Sequence, residues 1–188
     1  MVPCVVAAAL IGAVPATPAD AGLQARSLLH YGDSLAVGTG IYLPEYLRGW
    51  SLIQSSDVSR HADSAPTGIA AYGASLPRVV VVSLGANDSP ADVAGFSRTV
   101  REVVRVAGPR RCVVWASIVR PPYNGVSYAG MNAALRRLDA RFRNLVVFDW
   151  ARLATRNPHW FGSDGVHPTA HGYRARAAAI ARLVRADC

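Results

Sequence analysis

Lysine is absent from this chain of 188 residues, and all 20 basic residues are arginine. Without lysine there is no Schiff-base amine and no P-loop lysine, so both kinds of chemistry are excluded at the outset. Glutamate is nearly missing as well, with Glu45 and Glu102 the only two among 12 acidic residues. Charged residues make up only 17% against 51% hydrophobic, which excludes a wholly disordered chain. The net charge of +8 permits anionic partners such as nucleic acid, a membrane surface or a cell-wall polymer. No aromatic-basic interleaving and no DNA-binding motif accompanies it, so no nucleic-acid partner is expected. The 32 alanines and the use of Arg in place of Lys fit a GC-rich genome equally well.

Long apolar runs are also lacking. One stands out, Val5 to Val14, and it is too short to span a bilayer. With Ala19-Asp20-Ala21 as a small-x-small cleavage site before Gly22, residues 1–21 have the shape of a secretory signal peptide. No basic residue precedes the run, so either the start codon is misplaced or the signal is unusual. The expectation is one exported domain over residues 22–188, secreted or held at the cell envelope. Cysteine is scarce too. Cleavage removes Cys4 and leaves Cys112 and Cys188, which form either one disulfide or two free thiols.

The rest of the chain alternates two patterns. Short apolar runs occur at Leu28 to Tyr31, Val79 to Leu84, Cys112 to Ile118 and Leu145 to Phe148, with a weaker one ending at Asp57-Val58-Ser59. Between them, helix-period stretches cover Ala91 to Ala107, Met131 to Phe142 and Thr169 to Ala186. In the first of these Val93, Phe96, Val100, Val103 and Val104 share a face, with Arg98, Arg101 and Arg105 on the solvated side. Runs that are apolar throughout mean strands covered on both faces. Strand alternating with helix predicts an α/β sandwich with a parallel sheet of about five strands.

Three polar blocks fall at strand ends or a helix start, where an open parallel sheet collects reactive groups. They are Gly32-Asp33-Ser34, Gly85-Ala86-Asn87-Asp88 and Asp164-Gly165-Val166-His167-Pro168. Each alone is ordinary turn and capping chemistry; their conjunction in this order points to acyl transfer. A serine hydroxyl such as that of Ser34 needs a base within hydrogen-bond reach, and His167 is the candidate. Asp164, three residues earlier, can hold the imidazole tautomer, Gly165 lets the loop turn, and Pro168 is expected at the first position of the last helix. The backbone N–H of Ser34 and the side-chain amide of Asn87 are candidate donors to an oxyanion. The Gly-x-Ser-x-Gly elbow of α/β-hydrolases is absent.

These blocks resemble those of the SGNH hydrolases, the GDSL esterase/lipase family, over residues 28 to about 186. The resemblance implies a flavodoxin-like three-layer α/β/α sandwich with strand order 2-1-3-4-5 and Ser34 as nucleophile. It implies that Asp164 and His167 complete a catalytic triad, and that Asn87 and a glycine join the Ser34 N–H in the oxyanion hole. No cofactor is implied. At the glycine the chain departs from the pattern: Val58-Ser59-Arg60 stands where Val-Gly-Arg is expected, which makes Ser59 the candidate third donor. If that turn needs a positive φ, Ser59 is strained there.

Tyr42, Tyr123 and Trp160 lie in loops expected at the catalytic edge and are candidates for contacts to substrate. His167 and His171 with Asp164 could imitate a metal site, but no Cys or second carboxylate joins them and no metal is expected. His30, inside a strand, is expected to be packed and hydrogen-bonded. The resulting expectation is a monomeric secreted serine esterase acting on a small or exposed O-acyl ester, such as an acetylated sugar or short-chain lipid ester. The alternatives are an O-acyltransferase on envelope glycan or glycolipid, and an inactive envelope-binding module. The positive charge would suit electrostatic association with an anionic envelope.

Overall fold

Four consecutive valines, Val79 to Val82, are each no more than 2% exposed, and their alternation decides how the molecule is layered. Successive strand residues face opposite sides of a sheet. Val80 and Val82 therefore join Leu29, Val113 and Trp115 in one core, together with Ile69, Phe96 and Leu135. Val79 and Val81 join Leu28, Val114 and Ala116 in a second core, with Leu43, Trp150, Ile180 and Val184. Burying a valine contributes on the order of 1.5–3 kcal/mol on either face, so neither layer is dispensable.

The structure is a computed structural model and describes residues 26–188; the expected signal segment, residues 1–21, lies outside them. Strands β1 (Ser27–Gly32), β2 (Ser51–Ser56), β3 (Val79–Ser83), β4 (Cys112–Ala116) and β5 (Leu145–Phe148) form one parallel sheet in the order β2-β1-β3-β4-β5. This is the flavodoxin-like order. Among the described residues seven α-helices pack around it: α1 (Ser34–Gly40), α2 (Leu43–Tyr46), α3 (Ala65–Ala70), α4 (Val93–Ala107), α5 (Ala129–Asp139), α6 (Trp150–Arg156) and α7 (Ala170–Asp187). Helices α3, α4 and α5 cover the first core, while α2, α6 and α7 cover the second.

Helix α4 shows how the sequence sets an element. Phe96, Val100, Val103, Val104 and Ala107 are buried, and Arg98, Arg101 and Arg105 are exposed, as a 3.6-residue period requires. The Asp92 carboxylate accepts from the Gly95 N–H at 2.8 Å to cap its start, and Gly108 ends it at φ 75°.

Some boundaries differ from expectation. Strand β2 stops at Ser56, because residues 57–60 turn away with the Arg60 N–H bonded to the Asp57 carbonyl at 3.3 Å. Helix α5 starts at Ala129 and ends at Asp139, short of Phe142. Pro168 is not in the last helix. It pairs with Phe161 in an isolated bridge, and Thr169 is the cap, accepting from the Gly172 N–H at 3.3 Å. Helices α1, α2, α3 and α6 have at most seven residues, too few to show a period in the sequence. Of the two thiol alternatives the structure has the disulfide: Cys112, opening β4, is bonded to Cys188, which follows α7, with 5.6 Å between their Cα atoms.

Candidate active site

The sheet reverses its winding direction at β1, whose neighbours are β2 and β3, and a crevice opens beyond the carboxyl ends of such strands. Gly32 at the end of β1 is in register with Ser56 of β2 and Ser83 of β3. The loops that follow these three strands carry Ser34, Ser59 and Asn87. Backbone hydrogen bonds fix them to one another: the Asp33 N–H donates to the Ser83 carbonyl and the Asp57 N–H to the Gly32 carbonyl, both at 3.1 Å.

Ser34 is the first residue of α1. Asp33 caps that helix, its carboxylate accepting from the Leu35 N–H at 2.9 Å. Gly32 leaves no room for a side chain, since a Cβ there would lie 2.5 Å from the Ser83 carbonyl oxygen. The Ser34 hydroxyl is 2.9 Å from Nε2 of His167, which arrives from 133 residues further along the chain. Nδ1 of the same ring is 2.6 Å from Oδ2 of Asp164. Oδ1 of Asp164 accepts from the N–H groups of Val166 and His167 at 2.9 and 3.0 Å. The bond from His167 and these two backbone donors hold the Asp164 carboxyl well below the usual carboxylate range. An ionised carboxylate only accepts, so Nδ1 of a neutral His167 carries its proton and Nε2 faces the serine as an acceptor. The loop that presents the pair turns at Gly165, φ 65°, and is closed by the Gly162 N–H on the His167 carbonyl at 3.0 Å.

Asn87 follows β3. Its Nδ2 donates to Oδ2 of Asp33 at 3.3 Å and to the Arg60 carbonyl at 3.2 Å, both long bonds. Ser59 takes φ 61°, the left-handed conformation in which a glycine has no steric penalty and a serine is strained. The Ser59 N–H has no hydrogen-bond partner among the described residues. Arg60 anchors this turn, its guanidinium stacked 4.4 Å from the centre of the Tyr31 ring and paired with Asp57. Asn87, Ser59 and Tyr123 line an open cleft of about 430 Å³, with His61, Arg120 and Tyr128 among its other walls.

The other two expected substrate residues are placed elsewhere. Tyr42 lies against the second core with the Arg174 guanidinium 4.8 Å above its ring, and Arg174 is paired with Glu45 at 3.2 Å. Trp160 stacks on buried Trp150 at 5.9 Å between centroids and packs against the second core. His171 is exposed in the first turn of α7. Among the described residues, no three His, Cys, Asp or Glu side chains are grouped to hold a metal ion.

Beneath the site lies a buried polar chain that the sequence reading missed except for His30. Arg176, 1% exposed, donates to the Thr39 hydroxyl of α1 at 2.7 Å and to the Ser83 hydroxyl of β3 at 3.1 Å. Ser83 is 3.2 Å from Nε2 of His30, whose Nδ1 is 3.1 Å from Oε1 of Gln54. Burial, and secondarily the Arg176 charge, push the His30 imidazole down to about 3, so it is neutral. A neutral ring receiving the Ser83 O–H at Nε2 then donates from Nδ1 to Gln54, while Nε of Arg176 is left without a hydrogen-bond partner among the described residues. Burial lowers Arg176 to about 10, still charged at neutral pH, and raises Asp33; the Arg176 charge acts against that rise. The pattern did hold a signal for Arg176, which stands four and eight residues before Ile180 and Val184 on the buried face of α7.

The profile of the GDSL-like Lipase/Acylhydrolase family matches residues 21–175. No curated protein sequence matches the chain. Among solved structures, the C-terminal catalytic domain of Streptococcus pneumoniae peptidoglycan O-acetyltransferase A is similar at TM-score 0.68 and 20% identity, over 86% of this chain and 90% of that one. A lipolytic protein of the G-D-S-L family from Veillonella parvula is similar at TM-score 0.67 and 16% identity, over 84% and 96%. A Clostridium thermocellum family 3 carbohydrate esterase gives TM-score 0.65 and 15% identity, over 84% and 93%. At these identities the structural likeness establishes the fold, and the family profile, matched over most of the chain, establishes more: the chain belongs to the GDSL-like lipase/acylhydrolase family.

Proposed function

We propose that the protein is an exported serine esterase that hydrolyses O-acyl esters through an acyl-enzyme. The observation that carries this reading is the run of hydrogen bonds from Ser34 through His167 to Asp164, at 2.9 and 2.6 Å. His167 takes the Ser34 proton as Oγ attacks the ester carbonyl, and the Asp164 carboxylate stabilises the imidazolium that forms. His167 then returns the proton to the leaving alkoxide. Water, activated by the same imidazole, attacks the acyl-enzyme and releases the acid. The oxyanion formed in each step takes hydrogen bonds from the N–H groups of Ser34 and Ser59 and from Nδ2 of Asn87, which exchanges a long ground-state bond for it.

The site is open. His167 and Asp164 have side chains 48% and 49% exposed among the described residues. An exposed ester, such as an acetylated sugar or a short-chain lipid ester, fits this better than one requiring a deep acyl tunnel. The same openness favours a second reading, in which an alcohol replaces water and the acyl group is transferred. The likeness to a peptidoglycan O-acetyltransferase domain makes an envelope glycan a sensible acceptor to test.

A p-nitrophenyl ester chain-length series and acetylated saccharides, assayed with the wild type, Ser34→Ala and His167→Ala, test the proposal. Each change is expected to lower kcat by at least ~10³-fold. A fluorophosphonate should label the wild type and not Ser34→Ala. Full activity in Ser34→Ala would refute the mechanism. Acceptor alcohols that divert acyl groups from acid to ester would favour the transferase reading.

A further inference from the structure

The side chain of Arg120, from the loop after β4, reaches back to the Asn87 loop. Its Nη1 donates to Oδ1 of Asn87 at 3.1 Å and to the Ala86 carbonyl at 2.6 Å. No carboxylate lies within salt-bridge distance of its guanidinium among the described residues, so these neutral oxygens are the hydrogen-bond partners of its charge. The Ala86 carbonyl also accepts from the Tyr128 hydroxyl at 3.2 Å, which holds the loop from the same side.

We infer that Arg120 is the positioning residue for the oxyanion donor: it fixes which way the Asn87 amide points and strengthens that amide as a donor. Guanidinium has no acceptor, so the Asn87 atom facing it must be oxygen. The NH₂ end is thereby directed away from Arg120, toward Asp33 and Arg60 and the crevice where Ser34 stands. A flipped amide would set NH₂ against a cation and offer a carbonyl oxygen to the developing oxyanion. A positive charge on Oδ1 also draws electron density along the amide and makes Nδ2–H a stronger donor. Arg120 makes no contact with the reacting atoms in this scheme and acts only through Asn87.

The inference rests on the serine esterase reading, and a double-mutant cycle separates the two. Arg120→Leu, Asn87→Ala and the double variant are assayed for kcat and KM on one p-nitrophenyl ester, with thermal unfolding measured for each. Arg120→Gln, which keeps a neutral donor for Oδ1, is run through the same cycle, so that a poorly folded leucine variant leaves a second arm. Arg120→Leu is expected to lower kcat roughly 10- to 100-fold with KM changed less than about threefold, and Arg120→Gln to lose less. In the Asn87→Ala background either change should cost less than about twofold, because the group it positions is gone. Full additivity in the cycle, or a loss confined to KM, would overturn the role of Arg120. An Asn87→Ala variant with unchanged kcat would instead overturn the oxyanion assignment itself.

Discussion

Asp164 engages His167 with both of its carboxylate oxygens, Oδ2 at 2.6 Å from the ring Nδ1 and Oδ1 at 3.0 Å from the backbone N–H. One short loop thus supplies the imidazole and fixes its tautomer. Asp164→Asn keeps the shape, but it offers the ring an amide whose NH₂ favours the wrong tautomer. It is expected to lower kcat by about 10³- to 10⁴-fold without a comparable change in KM. Steady-state kinetics of a variant with wild-type thermal stability checks this.

The same contact bears on the pH dependence. Hydrogen bonds from His167 and two backbone N–H groups hold the Asp164 carboxyl well below the usual range, so it stays ionised throughout the mildly acidic region. In the proposed mechanism the carboxylate therefore adds no protonation step of its own to the acidic limb. The acidic limb of log kcat/KM should fall with a slope of one per pH unit, and a limiting slope of two would place a second titrating group in the mechanism.

What could be read from the sequence follows from which signals are local. Four of the five strands were legible because Val79–Val82 and their counterparts in β1, β4 and β5 are largely apolar without alternation, as strands covered on both faces are; edge strand β2, Ser-Leu-Ile-Gln-Ser-Ser, carries only a weak signal. Ser34, Asn87, Asp164 and His167 stood out because turn residues at strand ends carry their signal in a few adjacent positions. Arg120 did not: it reads like any other of the 20 arginines until tertiary packing sets it against Asn87, and Arg176 carries only its place in the buried period of α7 until its partners Thr39 and Ser83 are known. Tyr42 and Trp160 do not line the cleft that holds Asn87 and Ser59, for a related reason. An aromatic side chain in a loop can turn to either side of its backbone, and here Trp150 and Arg174 supplied the better partners.

Ser59 offers a test in which stability and activity separate. A side chain at φ 61° costs on the order of 1 kcal/mol relative to glycine. Ser59→Gly should raise the denaturant midpoint by a comparable free energy, less the entropy lost by a freer unfolded chain. It should keep the activity, since the backbone N–H is unchanged. Ser59→Val, β-branched in the same conformation, should lower the midpoint by more than about 1 kcal/mol. A large drop in kcat for Ser59→Gly at unchanged stability would show that the serine hydroxyl, rather than the backbone, serves the reaction.

The Cys112–Cys188 bond closes 76 residues, from the first residue of β4 to the end of α7. A crosslink over a loop of this length restricts the unfolded chain by roughly 4 kcal/mol in the chain-entropy description. Cys112→Ala/Cys188→Ala is therefore expected to unfold at markedly lower temperature and denaturant concentration than the oxidised wild type. The bond joins the amino-terminal end of the sheet, away from Ser34, so kcat at a temperature where both proteins are folded should be within about twofold. Equal midpoints for oxidised and reduced wild type would contradict a stabilising role.

Neutral His30 makes the fold sensitive to acid in a definite window. Its imidazole is held at about 3 by burial, against 6.5 as the ordinary value in the unfolded chain. Between those limits the unfolded chain binds a proton that the folded one does not, so stability is full above about 6.5 and declines as pH falls toward 3. From pH 6.5 to 5.0 the difference is on the order of 2 kcal/mol for a fully buried group. Asp33 works in the opposite direction, because a raised carboxyl takes up its proton first in the folded state. The wild type alone therefore cannot isolate the histidine, but comparison with His30→Gln can. Urea unfolding of both at pH 7.5 and 5.0 should show the wild type losing about 2 kcal/mol more than the variant. An equal loss in the two proteins would mean that the Arg176–Ser83–His30–Gln54 chain tolerates a proton on His30, contrary to the hydrogen-bond directions assigned to it.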